Sequence, residues 1–327
     1  MSDRSETAVP GVYVDLAHLI ALESKARTVS FLPRQPVHSL LAGRYASRMR
    51  GRGLSFEEIR TYRPGDDVRT IDWKATARLQ KPQVRVFNEE HDRQALLLVD
   101  QRMSMFFGSR VAMKSVTAAE AAAITAWRVL NVGDRVGALV FNDQEVVEVR
   151  PRRSRRTVLE LLDAIVAQNR ALGVGRGIAA APAMLNRAIA QAQRLALHDA
   201  IVVILSDFDG ADAATRSAVG AMAHHNDVVA VLVHDPTQSE LPPAARMTVS
   251  DGELQIALDV GRDGIRRSVL EMSAARLRDV FAWTRDLGVP VLPLSAAEDP
   301  SQQLRHLLGR ATSRRGRGRL PAGAAHG

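Results

Sequence analysis

Ala95-Leu96-Leu97-Leu98-Val99, closed by Asp100, is an unbroken apolar run with a carboxylate at its end. A strand buried on one face alternates apolar and polar residues, whereas a run apolar at every position is buried on both faces. Ala200–Leu205 (AIVVIL) repeats the pattern and ends on Ser206-Asp207. Arg135–Phe141, Val228–His234 and Val289–Leu294 read as three further strands. Helical stretches lie between or beside them: Val111–Leu130, Arg155–Gln168, Pro182–Leu197, Ala211–His225 and Arg266–Leu287. Strands alternating with helices need right-handed crossovers, so the expected class is α/β, a doubly wound, mostly parallel sheet. Met247–Val260, alternating around Asp251-Gly252, reads as a hairpin and is the candidate for an antiparallel edge.

Working outward, Val12–Thr28 carries Val12, Leu16, Leu19 and Ile20 at helical spacing. Residues 1–38 are therefore expected to be an N-terminal helix and linker. Residues 39–94 are dense in Arg, Gly and acids, with β-prone runs such as Gln83–Phe87, and read as a small, mostly β subdomain. The α/β domain is expected over residues 95–309. The tail, 310–327, holds Arg310, Arg314, Arg315, Arg317 and Arg319 among Gly, Ser, Ala and Pro, and is expected to be disordered for want of apolar residues to bury.

The chain has 327 residues, enough for one large domain with a smaller attachment, and no cysteine. The absence of Cys excludes disulfide scaffolds, thiol nucleophiles, Cys-ligated zinc and iron–sulfur clusters. A net charge of +8 invites a nucleic-acid reading, but five arginines of that excess lie in the tail. Lys is scarce, four against forty Arg, and only fourteen residues are Phe, Trp or Tyr, so the interleaved rings that stack bases are missing. No specific nucleic-acid partner is expected. No apolar run reaches the roughly 18–20 residues of a membrane helix. Met1–Pro10 is polar with no signal-peptide core, so the expected location is cytoplasmic.

In open α/β sheets ligands gather beyond the carboxyl ends of the strands, where the strand order reverses. Two polar strand ends stand out there: Asp100-Gln101-Arg102-Met103-Ser104 and Ser206-Asp207-Phe208-Asp209. They are candidates for one shared pocket, or Asp100 and Asp207 simply cap turns. Other chemistry is poorly supported. Gly173, Gly175 and Gly177 lack the Lys-Ser/Thr and preceding strand of a phosphate loop. The nine His show no metal spacing, the serines no His–Asp arrangement, and Glu89-Glu90 have Arg85 and Arg93 nearby for ordinary salt bridges.

Residues 51–108 read GRGLSFEEIRTYRPGDDVRTIDWKATARLQKPQVRVFNEEHDRQALLLVDQRMSMFFG. The stretch resembles the signature of the bacterial family called domain of unknown function 58. Its counterparts here are Gly51, Gly53, Arg60, Tyr62, Gly65, Asp66, Asp67, Arg69, Ile71, Asp72, Trp73, Ala77, Arg78, Glu89 and Glu90. Two readings of this segment stand. Pro64–Asp67 is a turn, Ile71–Trp73 a half-buried strand, and the acids and arginines are internal ion pairs; or the cluster is a docking or active surface.

The resemblance implies a von Willebrand factor type A-like fold. Such domains carry an adhesion-type metal site built from D-x-S-x-S, a Thr on a later loop and a further Asp, all hard oxygen donors suited to magnesium. Carried over, Asp100 and Ser104 hold the ends of the first motif, Arg102 replaces its middle Ser, and Asp207 holds the later Asp. Gly177–Leu185 (GIAAAPAML), where the Thr belongs, has no hydroxyl. The implied site is degenerate, with no resident metal or other cofactor and room for weak divalent binding only. The resemblance further implies a MoxR-type AAA+ ATPase as partner, with this chain a non-enzymatic adaptor in chaperone-like maturation of a client protein. The alternatives are an enzyme using Asp66, Asp67, Arg69 and Asp72, or a nucleic-acid-associated factor using the tail.

Overall fold

The computed structural model describes residues 10–27, 54–62, 69, 71–89, 93–173, 176–238, 246–250, 255–259 and 263–313. By its contacts the chain divides into Ala42–Asp92 and a larger unit made of Met1–Leu41 and Arg93–Gly327.

In the smaller unit, β1 (Leu54–Thr61) and β2 (Gln83–Glu89) form an antiparallel ribbon. The segment 71–73, read from sequence as a half-buried strand, is instead one bridge residue followed by a helix start. Ile71 bridges Val84, and Asp72 then caps a helix over Trp73–Leu79. The Asp72 carboxylate accepts a hydrogen bond from the Ala75 amide (2.9 Å), satisfying an N–H that the first helical turn would leave orphaned. Gln80, in the left-handed region at φ 53°, ends the helix.

The larger unit is built on β3 (Gln94–Asp100), β4 (Arg135–Phe141), β5 (Val146–Arg152), β6 (Ile201–Ser206) and β7 (Asp227–His234). After them come β8 (Arg246–Ser250), β9 (Gln255–Asp259) and β10 (Val291–Ser295). Six strands make one sheet in the order β10-β7-β6-β3-β4-β5, parallel except for β5. The doubly wound, mostly parallel sheet read from the apolar runs is present. Its antiparallel edge is not the Met247–Val260 hairpin: among the described residues β8 and β9 pair with each other in a separate two-stranded sheet. The edge is β5, which turns back on β4 through Asn142; the Asn142 side-chain oxygen accepts from the amides of Gln144 (2.8 Å) and Glu145 (2.9 Å). Pro151 is tolerated in β5 because it lies at the register shift opposite Gly137, between the Val136 and Ala138 pairings, where the ladder is already interrupted.

Successive residues of β3 serve opposite cores. Ala95, Leu97 and Val99 pack with the helix Lys114–Asn131, and Leu96 and Leu98 pack with the helix Met184–Leu195. Fourteen of the eighteen residues in Lys114–Asn131 are buried, which is why that helix is rich in alanine: it is sandwiched between the sheet and the N-terminal segment. That segment forms two short helices, Leu16–Ala21 and Glu23–Ala26, in place of the single helix expected over Val12–Thr28. Trp127 anchors it. The indole is fully buried, donates to the Leu19 carbonyl (3.1 Å), and stacks under Arg155, whose guanidinium reaches Glu23 (2.6 Å).

A final helix, Pro300–Ser313, was not read from the sequence. Its signal is Asp299-Pro300, an acceptor at the cap and a residue with no N–H to lose at the first position. Asp299 accepts from the Ser301 amide (2.7 Å), and Leu304 is buried. The helix carries the chain past Arg310, so positions 310–313, expected in a disordered tail, are helical; 314–327 lie outside the described residues.

Replacing Trp127 by Ala should cost about 3–5 kcal/mol in denaturant unfolding, the ordinary penalty for emptying a large aromatic site. Trp127→Phe should cost about 1–2 kcal/mol, because it leaves the buried Leu19 carbonyl without its donor.

Candidate functional site

The strand order reverses between the neighbours β3 and β6, so the ends of these two strands open one crevice. It receives Asp100 from the end of β3, and Ser206 and Asp207 from the end of β6. Arg102 and Ser104 come from the turn after β3, and Lys114 from the start of the helix behind it. The structure thus brings together Asp100, Arg102, Ser104 and Asp207, and adds Lys114.

Arg102 meets Asp100 edge-on. Its Nε donates to Oδ1 (3.0 Å) and its Nη2 to Oδ2 (2.7 Å), the fork-to-fork geometry that makes such pairs both strong and directional. The Arg102 amide also donates to Asp100 Oδ1 (3.0 Å), and the Ser206 hydroxyl donates to Oδ2 (2.6 Å). The far end of the guanidinium, Nη1, donates to the carbonyls of Pro182 (3.1 Å) and Asp209 (3.0 Å). One side chain therefore ties together the turns after β3 and β6 and the loop before Met184–Leu195.

Asp207 is served by a second cation. Lys114 Nζ lies 2.6 Å from its Oδ2, while Ser104 Oγ (3.3 Å) and the Asp209 amide (3.0 Å) donate to its Oδ1. Arg102 Nη2 stands 3.8 Å from the same Oδ1, so the two pairs form one cluster. All four charged side chains are between 0% and 3% exposed. Burial alone would push both carboxyls up. At Asp207 the Lys114 ammonium and the Arg102 guanidinium outweigh it and hold the carboxyl down at about 2. At Asp100 burial wins and the carboxyl lies above its usual range, with Arg102 opposing it; Arg102, despite its own burial, is held above the ordinary guanidinium value by Asp100.

A third carboxylate braces the crevice. Asp143, in the turn between β4 and β5, accepts from the Met103 amide (2.6 Å) and from the Ala181 amide (2.7 Å). Phe208 takes a left-handed φ of 56°, held by its amide donating to Ser206 Oγ (2.8 Å) and by its ring packing edge-on against Trp283. Sequence reasoning missed Lys114 and Asp143. The signal for Lys114 was its rarity, one of four lysines, at the head of an otherwise buried helix.

The family resemblance carried by the sequence implies an adhesion-type metal, and the donor set here does not fit one. Both oxygens of Asp100 are engaged by Arg102, and those of Asp207 by Lys114 and Ser104. Gly177–Leu185 offers no hydroxyl. A divalent ion about 4 Å from either cation would meet a repulsion of about 8 kcal/mol at an effective dielectric near 20.

The signature residues fare differently. Gly65, Asp66 and Asp67 fall outside the described residues, as do Gly51, Gly53 and Glu90. Arg60 lies in β1, and the Tyr62 amide donates to the Pro82 carbonyl (2.8 Å). Asp72 is buried and engaged in capping, whereas Arg69, Trp73 and Arg78 are exposed.

A family model described as "Protein of unknown function DUF58" matches residues 58–279. An uncharacterised protein of Mycobacterium tuberculosis is 30% identical over 279 residues, covering 85% of this chain and 86% of the relative. Among solved structures, the hypothetical protein BatB of Bacteroides thetaiotaomicron aligns with TM-score 0.43 and 13% identity over 68% of this chain and 100% of its own. A von Willebrand factor type A protein of Catenulispora acidiphila aligns with TM-score 0.33 and 14% identity over 69% and 44%. The six-stranded sheet of this chain is mixed and mostly parallel, with β5 as its antiparallel edge and helices packed on both faces.

Arg102→Leu should cost about 3–5 kcal/mol by denaturant unfolding, because it leaves the buried Asp100 carboxyl without its two-pronged partner. Pairing it with Asp100→Leu should recover most of that loss. Calorimetric titration with magnesium or manganese should give no binding heat at micromolar concentrations; saturable uptake abolished by Asp207→Asn would contradict the charge argument.

Proposed function

The chain belongs to the DUF58 family, and from that premise we propose that it is a non-enzymatic protein-interaction and adaptor protein, working in the cytoplasm with a MoxR-type AAA+ ATPase in chaperone-like maturation of a client. The observation that carries this reading is the state of the crevice. In α/β enzymes the strand ends at the reversal point present reacting groups to a substrate. Here the same position holds two cations and two carboxylates that are buried and spent on one another. Their hydrogen bonds fix the loops instead of waiting for a substrate, which suits a rigid platform better than a reaction site. Fold alone does not assign function, so the partner class rests on family resemblance.

The experiment is a purified mixture of this chain with the MoxR-type ATPase of its native host, run with ATP analogue and with ADP. A stoichiometric complex in at least one nucleotide state is the expected result. Recovery of no AAA+ protein in either state would remove the adaptor reading's main support.

A further inference from the structure

Of the chain's three tryptophans, Trp127 and Trp283 are buried, at 0% and 3% exposed, and Trp73 is 71% exposed. Trp73 opens the Trp73–Leu79 helix, which buries none of its residues, and Leu79 at its other end is 58% exposed. An isolated helix of seven residues is not stable in water. This one is held by polar contacts at its base. Asp72 caps it, the Asp72 amide donates to the Gln83 carbonyl (2.8 Å), and Thr76 Oγ1 accepts from the Gln83 amide (2.9 Å). Its outer face is therefore presented on a fixed frame, and Trp73, Lys74, Ala77, Arg78 and Leu79 are exposed.

The exposed charges of residues 71–83 have one sign. Lys74, Arg78 and Lys81 are exposed, and the one acid of residues 71–83, Asp72, is buried under the helix end. Lys74 and Arg78 stand four residues apart on one helical stripe, and Trp73 and Ala77 form the stripe beside it. Two of the chain's four lysines fall in these few residues, although arginine supplies nearly all of its other basic positions.

We propose that this face docks an acidic surface of a protein partner, whose carboxylates meet Lys74, Arg78 and Lys81 and whose apolar recess takes the Trp73 indole. Tryptophan and arginine are the residues that most often anchor such interfaces, and a pre-ordered anchor loses little entropy on binding. Charge complementarity selects the acidic partner. Single-stranded nucleic acid stacks on successive rings along a basic groove, and this helix carries one ring. A membrane-surface helix needs a broad apolar face, which seven residues with alternating cations do not supply. The identity of the partner as the ATPase rests on the reading above; the surface and its chemistry rest on the geometry of this helix.

The test labels the full chain with 5-fluorotryptophan and follows its fluorine resonances, Trp73 being assigned from Trp73→Phe. Unlabelled ATPase is added in each nucleotide state. The Trp73 resonance should shift or broaden, with Trp127 and Trp283 unchanged. Trp73→Ala and the double variant Lys74→Glu/Arg78→Glu should each weaken binding about tenfold or more without altering the melting temperature. A complex that forms with the Trp73 resonance unmoved, or that binds both variants as tightly as the natural chain, overturns the docking surface and leaves the adaptor reading intact. No complex in either nucleotide state overturns the adaptor reading and this docking with it. A Trp73 response to oligothymidylate or to phosphatidylserine vesicles, and not to the ATPase, overturns the proposal in favour of nucleic acid or membrane.

Discussion

Two positive and two negative side chains lie almost wholly out of water where the strand order reverses, and the upper end of the α/β unit is arranged around keeping them neutral. Taking any one of these charges from water costs several kcal/mol after relaxation, so each must have a partner held in good geometry. Arg102 meets that demand in two directions at once. Its inner edge neutralises Asp100, and its outer nitrogen reaches the carbonyls of Pro182 and Asp209 on loops distant in sequence. Lys114 does the same for Asp207 from the head of a helix with fourteen of its eighteen residues buried. A lysine, with one nitrogen and no fork, could not replace Arg102 in spanning Asp100 and two backbone carbonyls.

That arrangement bears on function through rigidity. In a metal-dependent adhesion site the loops are drawn together by an ion that a partner can help to coordinate. Here they are drawn together by side chains of the protein itself, satisfied before any partner arrives. In the adaptor reading, recognition then depends on surfaces of fixed shape. The smaller unit offers one: a short helix with an outward tryptophan and a row of cations, held at its base by a capping aspartate. Asp72 and Trp73 are adjacent in the signature yet do opposite things, one spent on holding the helix and the other left facing solvent.

The central strands were legible in the sequence because burial on both faces removes polar residues altogether, leaving runs such as Ala95–Val99 that no surface element would tolerate. β5 was not. It is an edge strand, its only buried residue is Val149, and Glu148, Arg150 and Pro151 mask any alternation. The hairpin of β8 and β9 was legible as a hairpin, but a local turn cannot say which sheet, if any, its strands will join. The helix Pro300–Ser313 is announced only by its capping pair, Asp299-Pro300, which sits between the last strand and the basic tail.

The sequence by itself determined the α/β class, the polar strand ends at Asp100 and Asp207, and the arginine, Arg102, two positions beyond Asp100. These are local facts: an apolar run, the residue that closes it, a side chain two positions on. Only the tertiary structure decided that Lys114 joins Arg102, that Asp143 braces the turn after β3, and that Trp73 faces outward. Lys114 and Asp207 are ninety-three positions apart, and a lysine heading an alanine-rich helix looks like any solvated helix end. Its burial follows from the helix being sandwiched between the sheet and the N-terminal segment, and only in that packing does its ammonium come within 2.6 Å of Asp207.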